Sequence, residues 1–179
     1  MIPARLTWLF LIVLGVTGPA IAQDSEYDSC FHLNDHTSFC GKAVGWKLLE
    51  TQSVPNVTGF INQTFFLSIT HQEAHGRSLS SGLYSEVAEG LLLNLDKRMD
   101  VPDGSHDALF VDVIAYENIE GRRMGIVSEY GGDRTTTMID FLISPRHLWV
   151  VQTGHVGPIE IERLARAHSL AMKEVRLAP

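Results

Sequence analysis

From Ala108 to Thr153 the sequence runs four β-strand patterns nearly end to end, and this stretch limits the fold more than any other. Ala108–Glu117 alternates, with Leu109, Val111 and Val113 on one side and Phe110, Ile114 and Tyr116 on the other. Asn118–Gly121 has the composition of a turn, and Arg122–Tyr130 reads as the next strand. Gly131-Gly132-Asp133 is a strong turn signal before a third strand, Arg134–Ile143. Ser144-Pro145-Arg146 turns once more into His147–Thr153, which carries Leu148, Trp149, Val150 and Val151. Connections this short leave room only for an antiparallel meander. Both faces of the last two strands are largely apolar, which implies burial on both sides of the sheet.

The flanking segments supply the other layer. Ile61–Thr70, with Phe65, Phe66, Leu67 and Ile69, reads as a preceding strand. His71–Ser80 is a polar loop. Ser81–Met99 then repeats apolar residues at steps of three and four, through Val87, Leu91, Leu95 and Met99, as one stripe of a helix. Pro102-Asp103-Gly104 ends it. After the meander, Gly157-Pro158 opens a second helix to about Val175, with Pro158 read at its first position. The expected order is β-α-β-β-β-β-α. That is an α+β domain whose antiparallel sheet of about five or six strands is covered by helices.

Residues 1–22 have the makeup of a secretory signal. Arg5 precedes an apolar run from Leu6 to Val16, Thr17-Gly18-Pro19 breaks it, and Ala20-Ile21-Ala22 forms a small-x-small cleavage site before Gln23. A run of about 11 residues is too short to cross a bilayer. The expected location is therefore periplasmic or secreted, with no membrane attachment after cleavage. The remainder has 13 Lys and Arg against 21 Asp and Glu, a formal charge of −8. This balance excludes nucleic acid as an expected partner, since phosphate backbones need clustered cations. In an oxidising compartment Cys30 and Cys40 are expected to pair, stapling an arm over 23–42 ahead of a single domain over 43–179. Within the start of that domain, Ala43–Glu50 reads as a first strand or a turn of helix, and Thr51–Gly59 as a loop. Asn56-Val57-Thr58 and Asn62-Gln63-Thr64 match glycosylation sequons.

The helix Tyr84–Leu95, the segment Glu117-Asn118-Ile119-Glu120-Gly121-Arg122-Arg123-Met124, the strand pair 136–143 and 147–153, and the closing helix follow one another in a particular order. Over about residues 64–177 this order resembles the PsbP-like family and its exported bacterial relatives of the DcrB type. The resemblance implies a layered sandwich that serves as a non-enzymatic binding or assembly domain, with no catalytic residues shared across the family. Two features depart from the pattern: the stapled arm before Lys42, and the absence of a lipid-attachment cysteine found in some exported relatives.

Histidine is the one candidate for chemistry. All eight histidines lie after residue 22. His32 and His36 are four apart between the cysteines, and His71 and His75 are four apart after the first strand. Histidines at this spacing meet on one helix face and can ligate zinc or copper. Neither pair lies in a helical pattern, and His71-Gln72-Glu73-Ala74-His75 places Glu73 one position too late for the zincin motif. Solvated loop histidines are therefore the first reading, and His32, His36, His71 and His75 stand as metal candidates only behind it. His168 falls on the apolar face of the last helix. No Gly-x-Ser-x-Gly nucleophile elbow occurs, and Ser80-Ser81-Gly82 reads as a helix N-cap. Glu86 and Glu89 read as a solvated helix face. Asp112 and Asp140 lie mid-strand and read first as exposed sheet positions; if both faced inward they would need cationic partners, for which Arg122, Arg123 and Arg134 are candidates. The sequence thus predicts no enzyme and no cofactor. It predicts an exported accessory protein that recognises another protein or a small ligand. The alternative is an extracytoplasmic transition-metal-binding protein using the loop histidines.

Overall fold

The structure is a computed structural model. It describes residues 29–49, 56–73, 106–117, 119–130, 133–155 and 157–179. The described residues form two antiparallel sheets and one α-helix. The strands are β1 (Phe31–Asn34), β2 (Thr37–Phe39), β3 (Lys47–Leu48), β4 (Val57–Asn62), β5 (Phe65–Glu73), β6 (His106–Tyr116), β7 (Ile119–Tyr130), β8 (Asp133–Ile143), β9 (His147–His155) and β10 (Val175–Leu177). The helix α1 is Ile161–Met172, and a single 3-10 turn spans Gly41–Val44. The small sheet has the order β1-β2-β10, and the large one β3-β4-β5-β9-β8-β7-β6.

The meander is present as read, with β6 to β9 paired in sequence except that β9 also pairs with β5. The fold class is corrected. In place of one helix-covered sheet of five or six strands, the described residues build sheets of seven and three strands, and the expected order β-α-β-β-β-β-α does not hold. The predicted helix Ser81–Met99 lies outside the described residues, as do the leader and its cleavage site at Ala22 and Gln23.

The missed strands were too short, or too broken by turn residues, to show a period of two. β1 and β2 have four and three residues. β4 sits in the stretch read as a loop because of Pro55 and Gly59. What reads as one strand from Ile61 to Thr70 is a hairpin tip: Asn62 pairs with Phe65 across a turn in which Gln63 has φ 54°. Pro158 precedes the helix by three residues, and the helix stops at Met172, after which Val175–Leu177 joins the small sheet against β2. Gly121, taken for a turn residue, lies inside β7, where a Cβ would stand 2.6 Å from Leu142 Cδ2 and 2.8 Å from the Phe141 carbonyl oxygen. The bend before it falls at Glu117, with φ 53°.

The large sheet is buried on both faces at β8 and β9, as their sequences imply. On one face Leu67, Ile69, Leu142, Trp149 and Val151 pack with Phe39 of the small sheet and Met172 of α1. Trp149 donates its indole N–H to Thr37 Oγ1 at 3.0 Å, and Tyr116 O–H donates to the carbonyls of Val175 and Met172. On the other face Met124, Ile126, Ile139, Phe141, Ile143 and Leu148 form a second cluster. Cys30 and Cys40 are bonded, with an S–S distance of 2.05 Å, beside the Phe31–Phe39 strand pair. The bridge therefore closes the open end of the β1–β2 hairpin. Residues 29–42 pack against the large sheet, with Phe39 fully buried in the core they share.

Candidate functional site

Three histidines from distant parts of the sequence converge where the small sheet meets the large one. His36 sits in the β1–β2 turn, His71 on β5 and His147 at the start of β9. His71 stands opposite Trp149, and His147 opposite Glu73, in the β5–β9 register. The ring centroids lie 4.2 Å apart for His36 and His147, 5.1 Å for His71 and His147, and 5.8 Å for His36 and His71. His71 also stacks on Trp149 at 5.5 Å.

The hydrogen bonds fix which ring nitrogens carry protons. The His36 backbone N–H, which can only donate, is 2.9 Å from Asn34 Oδ1. This sets the amide so that Asn34 Nδ2 donates to His71 Nδ1 at 3.3 Å. His71 therefore carries its proton on Nε2, which donates to His147 Nδ1 at 3.1 Å. His36 Nδ1–H donates to the Ala178 carbonyl at 3.1 Å, tying the turn to the segment after β10. Burial holds the pKa of His71 below the usual imidazole range, and the neighbouring His147 and His36 add to this, while Glu73 opposes it. His147 is lowered as well, first by burial and then by His36, with Arg146 adding to the effect and Glu73 opposing it. Above this cluster lies a cavity of about 440 Å³, lined in part by Asn34, Asp35, His36, Asn56, His71 and Glu73.

The grouping differs from the one that sequence spacing suggested. His32 and His36 point to different partners, since His32 Nδ1 contacts Ser38 Oγ at 3.0 Å across the hairpin. His75 lies outside the described residues. Both nitrogens of His71 already have partners. Among the described residues no group of three or more His, Cys, Asp and Glu stands in metal-holding geometry. His147, which joins the cluster, was not among the candidates. Its proximity to His71 follows from the β5–β9 register, which no local spacing reveals.

A second polar group lies beneath α1. Asp140 is wholly buried, not the exposed sheet position first expected, and receives Arg123 through two 2.7 Å bonds, Nε to Oδ1 and Nη2 to Oδ2. Arg123 faces Asp140 directly across the β7–β8 ladder, so one of the three cations named from sequence is the partner. Arg122 pairs with Glu120 instead. His168 Nε2 lies 3.0 Å from Asp140 Oδ1, an ion-pair distance but off the line of a hydrogen bond, and its Nδ1 contacts Thr153 Oγ1 at 2.8 Å. The Asp140 carboxyl titrates below its ordinary range. Burial is the largest influence and pushes it up, but the Arg123 bonds and His168 together outweigh it. Thr153, His168 and Asp140 have the composition of a nucleophile, base and acid. All three are fully enclosed, so a substrate cannot reach the hydroxyl. Their role is to join α1 to the sheet. Asp112 is an exposed sheet position, as read. Ser80–Gly82, Glu86 and Glu89 lie outside the described residues.

No family model matches the chain, and no curated protein matches it. Among solved structures it is similar to the solution structure of cyanobacterial PsbP (CyanoP) from Synechocystis sp. PCC 6803. The TM-score is 0.64 and the identity 11%, over 92% of this chain and 99% of that one. It also overlaps LpqN of Mycobacterium tuberculosis, described as involved in cell envelope biogenesis, with a TM-score of 0.44 and 16% identity over 75% of this chain and 79% of that one. The second overlap is too partial to define a shared fold. The full-length overlap with CyanoP, the meander and the closing helix together give the chain a PsbP-like fold.

Proposed function

We propose that this protein is an exported, non-enzymatic accessory protein that recognises another protein or a small ligand through the cavity beneath the β1–β2 hairpin. The carrying observation is that cavity: about 440 Å³, walled by strands of both sheets and lined by amide, carboxylate and imidazole groups. Sites that bind by shape place a few polar groups on rigid elements in this way. The leader-like residues 1–22 and the Cys30–Cys40 bridge support export, because such bridges persist in oxidising compartments. No helix of the described residues is long and apolar enough to cross a membrane. The family resemblance adds the expectation of an accessory role.

The test uses protein beginning at Gln23, immobilised and exposed to the exported protein fraction and to small-molecule extracts of the same compartment. Thr58→Arg, which places a long side chain at the cavity wall, serves as the comparison, with circular dichroism confirming its fold. The expected result is a binder held by the wild type and lost from Thr58→Arg. Equal retention by both would defeat the proposal.

A further inference from the structure

The hydrogen-bond polarity of the histidine cluster has a consequence that stands apart from what the cavity binds. We infer that His36, His71 and His147 form an acid-sensitive latch, which clips the β1–β2 hairpin and the segment after β10 to the large sheet at neutral pH and opens the cavity in acid.

The argument rests on where an added proton would go. His71 Nδ1 is an acceptor, facing the Asn34 amide nitrogen at 3.3 Å. A proton there would set N–H against N–H, and Asn34 has no relief by turning over, because its Oδ1 holds the His36 backbone N–H. His147 Nδ1 is likewise an acceptor, and a proton on it would meet the His71 Nε2–H at 3.1 Å. Protonating either ring therefore removes a hydrogen bond and sets two donors against each other, at the exposed Asn34 contact for His71 and at the half-buried ring–ring contact for His147. His36 can take a proton on Nε2 and keep its bond to Ala178, but the charge would then sit in a ring centred 4.2 Å from His147.

The other charged groups facing the cluster divide. From β5, Glu73 stands opposite His147 and favours protonation; from the turn before β9, Arg146 disfavours it. From the hairpin turn, Asp35 lines the same cavity, and the segment after β10 presents the neutral Ala178 carbonyl. Burial and imidazole–imidazole repulsion prevail over Glu73, so both His71 and His147 titrate below the ordinary range. A folded-state pKa below the unfolded value means that the open state binds protons more readily. The latch is thus at full strength above about pH 6.5 and is lost as pH falls from there through the depressed values.

The cluster joins only the hairpin turn and the Ala178 segment to β5 and β9. What opens is that rim, while the cluster on the other face of the sheet, Met124, Ile126, Ile139, Phe141, Ile143 and Leu148, contains no titratable group. The hairpin's other ties to the large sheet, the Phe39 packing and the Trp149–Thr37 bond, do not titrate in this range.

The test is NMR of the protein beginning at Gln23, between pH 7.5 and 5. Imidazole nitrogen shifts should show His71 protonated on Nε2 and bare on Nδ1, with His71 and His147 titrating below about 6.5. After correction for the chemical exchange rate, amide exchange at His36 and Ala178 should rise by up to about tenfold per unit fall in pH for each group. Exchange at Ile139 and Phe141 should hold steady. His71→Gln with His147→Gln should flatten that rise, and His32→Gln, on the same hairpin but outside the cluster, should leave it intact. The imidazole measurement needs no variant, so it decides the matter even if the double substitution fails to fold. Titration of both rings at 6.5 or above, the opposite His71 tautomer, or hairpin and core amides opening together would overturn the latch.

Discussion

Replacing Arg123 with methionine keeps the length of the side chain and removes the guanidinium that neutralises Asp140. Asp140 is wholly buried, and both its oxygens receive Arg123 at 2.7 Å. Breaking a buried pair from one side costs about 3–5 kcal/mol, because the remaining charge is left without compensation. Arg123 keeps 23% of its side chain exposed, so water can reach the vacated space, and the lower figure of about 3 kcal/mol applies. With a urea dependence of about 2 kcal/mol/M, the unfolding midpoint should fall by about 1.5 M at pH 7. The deficit should shrink in acid. In the wild type the lowered Asp140 pKa contributes stability that is present above the unfolded carboxyl value and lost as pH falls through the folded one. In the variant, burial pushes the carboxyl up with only His168 to oppose it, so Asp140 gains a proton early and the two proteins converge. The double variant Arg123→Met, Asp140→Leu should lose less than the single one, since no buried charge remains. A single variant within about 1 kcal/mol of wild type, or a double variant showing the sum of two large losses, would refute the assignment of this pair as the electrostatic anchor beneath α1.

Replacing Cys30 and Cys40 with serine should cost about 2.7 kcal/mol from the loop entropy of a bridge spanning 10 residues, measured by denaturant titration against the oxidised protein; a loss near zero would show that the hairpin is held by its core contacts alone. Gly154→Ala should lower stability by about 1–3 kcal/mol, because its Cβ would lie 1.9 Å from Cζ of Phe66, and thermal unfolding reads this directly. Zinc or copper should leave the melting temperature unchanged beyond weak surface binding. A metal held at a hundred times its dissociation constant would add about 2.7 kcal/mol, and such a rise abolished by His36→Ala or His71→Ala would establish the metal-binding alternative. Mass spectrometry of exported protein should find an N-terminus at Gln23, and retention of residues 1–22 would contradict the leader reading.

The meander was legible because its strands are long and separated by short turns. The double-sided burial of β8 and β9 followed from apolar residues on both their faces, and Arg123 was one of three cations named in case Asp140 faced inward. What escaped were β1, β2 and β10, whose three or four residues complete no period and gain their stability from pairing with one another. β4 escaped because Pro55 and Gly59 outweighed the apolar residues beside them. For the histidines, spacing of four suggested pairs along the chain, and strand register made a different group. His36 meets His71 and His147 because a hairpin turn is laid over the β5–β9 ladder, and that meeting depends on tertiary placement. The tautomers were legible only through Asn34, a residue with no signal of its own in the sequence.

The pairing of β2 with β10 has a consequence for how the molecule is made. Thr37 and Leu177 are partners across 140 positions, so the third strand of the small sheet is synthesised after every other described strand. Contacts of such long separation close late, since the chain must lose the entropy of a very large loop before they form. Until then the inner edge of β2 has no partner, and Phe39 lacks the cover of Val175. The cystine meanwhile keeps β1 and β2 in register without help from the rest of the fold, so the nascent chain holds a finished docking strand ready for its last segment. A protein whose bridge formed only after β10 arrived would have to order three short strands at once. A bridge formed before the chain is complete would make that final step the addition of a single strand.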